Sequence, residues 1–329
     1  MSSHHPANKH GPRLWLVSLL LLTACAQAPS PIVTPAAPPT ALPTNTIAPA
    51  PTDTATPVPT ETSTPAPTPI PGIQVFPLSS LGEGVPWLSY DRSQPIMSVY
   101  YGFNVERPPF DSVLVRQALA AAIDKEEIAL EAREFQFREV TPATTLTPPA
   151  ILGRDLYGEV GIPFDPEKAR SLLEEAGYAS VDAFPSTTLI VYMRGAAAPG
   201  AHFRLAQTVV GMWKANLGIA VTIDTLESPA ALISRMRSDG AAMYLLAWGA
   251  DYADPDNFLK TLLHSGADLN LGHFNSPTYD SIVDRAAVLS DPAQRQLLYM
   301  QAEQILTEQE VALIPLFHSM LYTGGGAPK

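Results

Sequence analysis

Residues 28–72 are written almost wholly in proline, threonine, alanine and serine, as in Thr52-Asp53-Thr54-Ala55-Thr56-Pro57-Val58-Pro59-Thr60. A stretch with so little large apolar side chain cannot offset the entropy of ordering itself. Its prolines favour an extended, polyproline II-like tether, which at about 3.1 Å per residue reaches about 140 Å at most. The simplest role for it is a spacer. The fold must therefore be built from Ile73 onward, and the roughly 255 residues available there suffice for one large α/β domain or two small ones.

The residues before the tether read as an export signal. Lys9, His10 and Arg13 precede an almost wholly apolar run, Leu14 to Leu22, which ends in Thr23-Ala24-Cys25. A membrane span needs about 20 apolar residues, and this run is roughly half that. A charged start, a short apolar stretch and small residues before a cut define a signal peptide. Small residues directly before a cysteine resemble the bacterial lipobox, which implies cleavage before Cys25 and lipid attachment to it. The expected organisation is a lipoprotein signal peptide at 1–24, a lipid-anchored disordered linker at 25–72 and a folded domain at 73–329. The expected location is extracytoplasmic, held to the membrane through lipid on Cys25. Two or more acyl chains would make that anchoring stable.

Cys25 is the only cysteine, which excludes a disulfide framework and a thiolate metal site. The formal net charge of −12 argues against nucleic acid as a partner and against a polybasic membrane patch.

Along the folded part, Ile96 to Phe103 reads as a strand. A helix follows, with Val115, Ala118, Leu119, Ala122 and Ile123 at helical spacing. Asp124 is placed to cap a second short helix. Residues 141–164, rich in proline and glycine, read as a long surface loop. Asp165-Pro166, Ser228-Pro229, Ser276-Pro277 and Asp291-Pro292 each put a side-chain oxygen at the N-cap and proline at the first helical position. The first of these helices stops at Gly177, and another helix runs from about His202 to Leu217. Between them lie strand candidates at 188–193, 219–226, 242–248 and 312–317. Alternating strands and helices predict an α/β fold: a mixed or largely parallel sheet flanked by helices.

Chemistry concentrates in residues 244–259, Tyr-Leu-Leu-Ala-Trp-Gly-Ala-Asp-Tyr-Ala-Asp-Pro-Asp-Asn-Phe-Leu. An apolar strand runs into a turn with three carboxylates and then a helix, and ligands of open α/β sheets bind at the carboxyl ends of strands. Asp254 precedes Pro255 and reads as an N-cap. Asp256 falls in the first turn, where the helix dipole favours a negative charge. Asp251 has no capping duty, so it is free to pair with a ligand cation, with Trp248 and Tyr252 offering aromatic faces. Trp248 reads equally well as core packing.

This stretch resembles the signature of the bacterial extracellular solute-binding proteins of family 5, the peptide-, dipeptide- and nickel-binding subunits of ABC importers. Tyr101-Gly102-Phe103-Asn104, Pro108-Pro109-Phe110-Asp111, Val115-Arg116-Gln117-Ala118-Leu119 and Ala122-Ile123-Asp124-Lys125 resemble its hallmark block. Asp165 to Ala169 with Leu172 to Tyr178, then Phe274-Asn275-Ser276 with Tyr279-Asp280, and Ile314-Pro315-Leu316-Phe317 resemble later blocks in the same order. The resemblance implies a periplasmic-binding-protein-like lobe, mainly the second of the family's two, and binding without covalent chemistry or a cofactor. It carries the amine-binding aspartate onto Asp251 and the pocket lining onto Trp248, with Tyr252 and Asn104 in the matching motifs as further candidate ligand contacts. No Arg or Lys stands in Met243 to Ala247, where some members hold a ligand carboxylate. The implied partners are ABC permease subunits, a peptide or similar small solute, and a chain supplying the other lobe. The competing reading is a degenerate or partner-dependent single-lobe interaction module. A hydrolase or metal site using Asp251, Asp254 and Asp256 with His264 or His273 ranks last, because capping explains two of the acids and neither a His-x-x-His pair nor a nucleophile elbow is present.

Overall fold

The computed structural model describes residues 94–135, 137–180, 183–193, 200–239 and 241–320. The signal segment, Cys25, the tether and residues 73–93 lie outside the described residues.

Six strands form one mixed sheet. In chain order they are β1 (Met97–Phe103), β2 (Thr141–Pro142), β3 (Thr187–Tyr192), β4 (Val221–Leu226), β5 (Met243–Gly249) and β6 (Leu313–Ser319), arranged β2-β6-β1-β5-β3-β4. β3 pairs parallel with β4 and β5, whereas β1 pairs antiparallel with β5 and β6. Alternate strand residues point to opposite faces, and each face has its own core. Val99, Tyr101, Leu189, Val191 and Leu245 belong to one core, and Tyr100, Ile190, Tyr192, Tyr244 and Leu246 to the other. Every residue of β1 and β6 is buried, which is why both read as continuous apolar runs rather than alternating ones. At Gly102 a β-carbon would stand 2.1 Å from the Tyr244 ring, so only glycine lets that tyrosine cross β1.

The helices are α1 (Val113–Ala121), α2 (Lys125–Glu134), α3 (Pro149–Leu152), α4 (Pro166–Glu175), α5 (Ala201–Leu217), α6 (Pro229–Asp239), α7 (Leu259–Leu263), α8 (Pro277–Val288) and α9 (Pro292–Gln304). The first core is covered by α1, α2, α4 and α5, and the second by α6 to α9. All four acid- or serine-proline pairs start helices; Asp165 and Asp291 accept first-turn N–H bonds of 2.9 Å, and Ser228 and Ser276 do so at 3.2 and 3.4 Å. Asp124 caps α2 by accepting from Glu126 and Glu127. Gly177 follows α4 with φ of 95°, a left-handed position where glycine avoids a steric cost. No helix among the described residues is long and apolar enough to cross a membrane.

The segment 141–164 departs from its expected surface course. It contributes β2 and α3, and Thr144, Thr145, Leu146, Thr147, Leu152, Leu156 and Val160 are all buried. Glu303 on α9 causes this: its wholly buried carboxylate accepts the backbone N–H of Leu146 at 2.8 Å and of Thr147 at 2.7 Å. On the other side of Leu146, its carbonyl accepts from the Ser98 hydroxyl, which also lies 2.9 Å from His318 Nδ1. The loop's unpaired backbone groups are thus satisfied by side chains, which is what allows it inside.

Candidate functional site

The site grows from the carboxyl end of β5. After Gly249 the chain crosses beneath the start of β1, where Ala250 N–H donates to Ile96 carbonyl at 2.9 Å. Ile96 N–H in turn donates to Ser319 carbonyl at 3.0 Å. The Asp251 loop therefore emerges at the sheet end where the chain enters β1 and leaves β6.

Asn257 organises this loop. It is 1% exposed, and its Oδ1 accepts both the Trp248 indole N–H and the Asp251 backbone N–H, each at 3.1 Å. One buried acceptor thereby fixes the tryptophan ring and the aspartate's backbone relative to each other. The Asp251 side chain makes no hydrogen bond or ion pair among the described residues, and the residue is exposed. Tyr252 beside it is 47% exposed. Trp248 is half-buried and packs against the second core.

Of the neighbouring acids Asp254 is committed, as its position predicted, and Asp256 falls in the first turn that follows. Asp254 caps the short 3₁₀ turn Pro255–Asn257 by accepting Asp256 N–H at 3.0 Å. It also takes a forked pair from Arg295 of α9 at 2.8 and 2.9 Å. Burial raises the Asp254 carboxyl to about 6, with the Asp256 charge adding to the rise and Arg295 opposing it. The segment after Asp254-Pro255 is this 3₁₀ turn followed by the five-residue α7, where a single helix was expected.

Asn104 does not join the site. β1 and β5 are antiparallel, so Phe103 pairs with Met243 while Met97 pairs with Gly249. Asn104 lies about 20 Å from Trp248, six strand steps of ~3.4 Å away. There it is buried, its N–H donates to Ala242 carbonyl and its Oδ1 accepts Glu106 N–H, the bonds of a turn-former. The histidines of the metal or hydrolase reading are elsewhere: His264 pairs with Asp280 and Asp284, and His273 with Glu106. No cluster of three or more potential metal ligands occurs among the described residues.

Sequence reasoning missed a pair on the adjacent parallel strand. Tyr192, the last residue of β3, has its hydroxyl 3.1 Å from His202 Nε2 in the first turn of α5. Burial lowers His202 to about 4 and so keeps it neutral at neutral pH. A histidine opening a helix shortly after a strand was the available signal. The hallmark block proves architectural: Arg116 is buried and donates to the carbonyls of Phe110, Glu310 and Val311, tying α1 to the approach to β6.

A helix-covered mixed sheet that presents an uncommitted carboxylate and aromatic rings at the ends of parallel strands is one lobe of a periplasmic-binding-protein fold. Residues 63–270 match the family model described as bacterial extracellular solute-binding proteins, family 5 Middle, and the chain belongs to that family. It is 32% identical over 227 residues to the periplasmic oligopeptide-binding protein OppA of Escherichia coli, covering 68% of this chain and 40% of that one. It is 34% identical over 223 residues to heme-binding protein A of Haemophilus influenzae, covering 67% and 39%. The structure of the murein tripeptide binding protein MppA of Escherichia coli superposes with a TM-score of 0.58 at 25% identity, covering 69% of this chain and 43% of that one. The chain thus spans about two fifths of the length of the curated relatives it matches.

Proposed function

We propose that this protein is the solute-capturing component of an ABC import system, exported, cleaved before Cys25 and held on the membrane by lipid there, with residues 25–72 as the tether and 73–329 as the binding domain. Peptides or similar small solutes carrying an amine are the ligand class. The observation that carries this reading is Asp251: an exposed carboxylate with no partner among the described residues, on a loop locked by Asn257, beside Trp248. An ammonium placed there gains a charge-assisted hydrogen bond and aromatic contact. The relatives, one named for oligopeptides and one for heme, support solute capture and leave the amine as the specific inference from Asp251. A wall opposite Asp251 is needed to bury a ligand's far side, and an opposing lobe or partner chain supplies it.

Thermal unfolding of the full chain with and without a di- to penta-peptide pool tests the site. A ligand that binds only the folded state raises the midpoint as its concentration rises. The expected result is a rise that Asp251→Asn abolishes; no rise in the wild type, or an undiminished rise in Asp251→Asn, overturns the assignment. For the anchor, Cys25→Ser is expected to move the protein from the membrane to the soluble fraction of cells, and unchanged fractionation counts against lipidation.

A further inference from the structure

At the far end of the sheet from Asp251 lies a cavity of about 560 Å³, within the range of small-ligand pockets. Its origin is the length of α6. In the parallel β3–β4 pair, Thr188 sits beside Thr222 and Ile190 beside Asp224, so these four share one face. α6 covers that face through Leu232 and Met236 but ends at Asp239. Thr188 and Thr222 are left exposed between α6 and the turn at Arg107. The rim carries two guanidiniums, Arg107 and Arg235, and one carboxylate, Asp224, which stands 3.8 Å from Arg235. The floor is Ile190 with Ala242. A chain of net charge −12 thus gathers two guanidiniums against one carboxylate, three hydroxyl donors from Ser186, Thr188 and Thr222, and an apolar base in one concavity.

We propose that this cavity is a second ligand site, for a small monoanionic carboxylate with a short apolar body. The Arg107 guanidinium fork matches a carboxylate's two oxygens, Arg235 beside Asp224 adds positive charge at the rim, the threonine hydroxyls add donors, and Ala241 and Ala242, lying over buried Ile190, receive the apolar part. Asp224 at the rim disfavours a dianion such as a phosphate monoester. The site is separate from the Asp251 loop, because Ala242 precedes β5 and Asp251 follows it, about 20 Å or more along a strand rising ~3.4 Å per residue.

The test uses N-acetyl-L-leucine, which has the carboxylate and lacks the amine that Asp251 would read, titrated into the isotope-labelled full chain and followed by amide NMR shifts. Saturable shifts at Thr188, Thr222 and Ala242 are expected in the wild type and in Asp251→Asn. Binding is expected to weaken at least tenfold in the double variant Arg107→Gln/Arg235→Gln, whose exposed positions leave the fold intact by circular dichroism, and for the neutral analogue N-acetyl-L-leucinamide. No saturable shift in the wild type, equal binding by the neutral analogue, or an unaffected double variant each overturns the proposal. Loss in Asp251→Asn also overturns it, by assigning the probe to the Asp251 loop.

Discussion

At the scale of single residues, the proposed site depends on Asn257 as much as on Asp251. The residue type was visible in the sequence but its duty was not, because a buried amide facing back across six residues looks like any polar position in a turn. Asn257→Ala leaves the Trp248 indole N–H and the Asp251 N–H without their shared acceptor. Losing a buried acceptor costs about 1–3 kcal/mol, and urea unfolding is expected to show a loss of that size. A loosened loop is also expected to weaken the peptide-induced thermal shift at least tenfold in concentration dependence, although Asp251 is untouched. A stability loss with an unchanged ligand response would reduce Asn257 to a structural residue.

At the scale of elements, local chemistry was legible and long-range pairing was not. Every proline-marked helix start is real because the cap bond spans two or three residues and needs nothing else. Two caps of the same kind are nevertheless not equal. Asp291 is exposed and accepts from the backbone N–H groups of Ala293 and Gln294 at 2.9 and 3.2 Å and from the Gln294 side-chain amide at 3.1 Å. Ser276 is buried, and its hydroxyl also donates to Glu310 Oε1 at 2.6 Å. Asp291→Ala is expected to cost about 1 kcal/mol, and Ser276→Ala more, since it leaves the Glu310 carboxylate without that donor; chemical denaturation of the two variants side by side measures the difference. Residues 143–147 show the other limit. Three threonines among proline-rich neighbours read as surface, and their burial depends on Glu303, more than 150 residues further on. The separation of Asn104 from Asp251 was hidden for the same reason, since it follows from the antiparallel pairing of β1 with β5, which nothing in either segment declares.

At the scale of the whole molecule, buried ionisable groups on both faces of the sheet set opposing pH dependences. Burial lowers His318 to about 3 and His202 to about 4. In the unfolded chain a histidine titrates near 6.5, so as pH falls below that value the unfolded state binds protons that the folded state refuses, and stability is lost. Glu303 works the other way. Burial raises it to about 7, although its hydrogen bonds from Leu146 and Thr147 oppose the rise. An unfolded glutamate titrates near 4.3, so between these values the folded state holds the extra proton and stability is lost as pH rises. Half-buried, solvent-screened Asp254 pulls weakly in the same sense as Glu303. Between about pH 4.5 and 6 the two histidines and the two acids therefore largely offset one another, and the wild type is expected to lose stability only gently on acidification. Each unbalanced proton tilts the curve by about 1.4 kcal/mol per pH unit. Glu303→Gln removes one opposing proton and is expected to steepen the acid-side loss by roughly that slope. His318→Asn is expected to flatten or reverse it, whatever each substitution costs at a single pH. Urea unfolding of the three proteins at half-unit steps from pH 4.5 to 6.5 measures these slopes directly. Parallel curves would mean that the charged forms of Glu303 and His318 are not disfavoured by the fold, and that water reaches the Ser98–Leu146 layer between them.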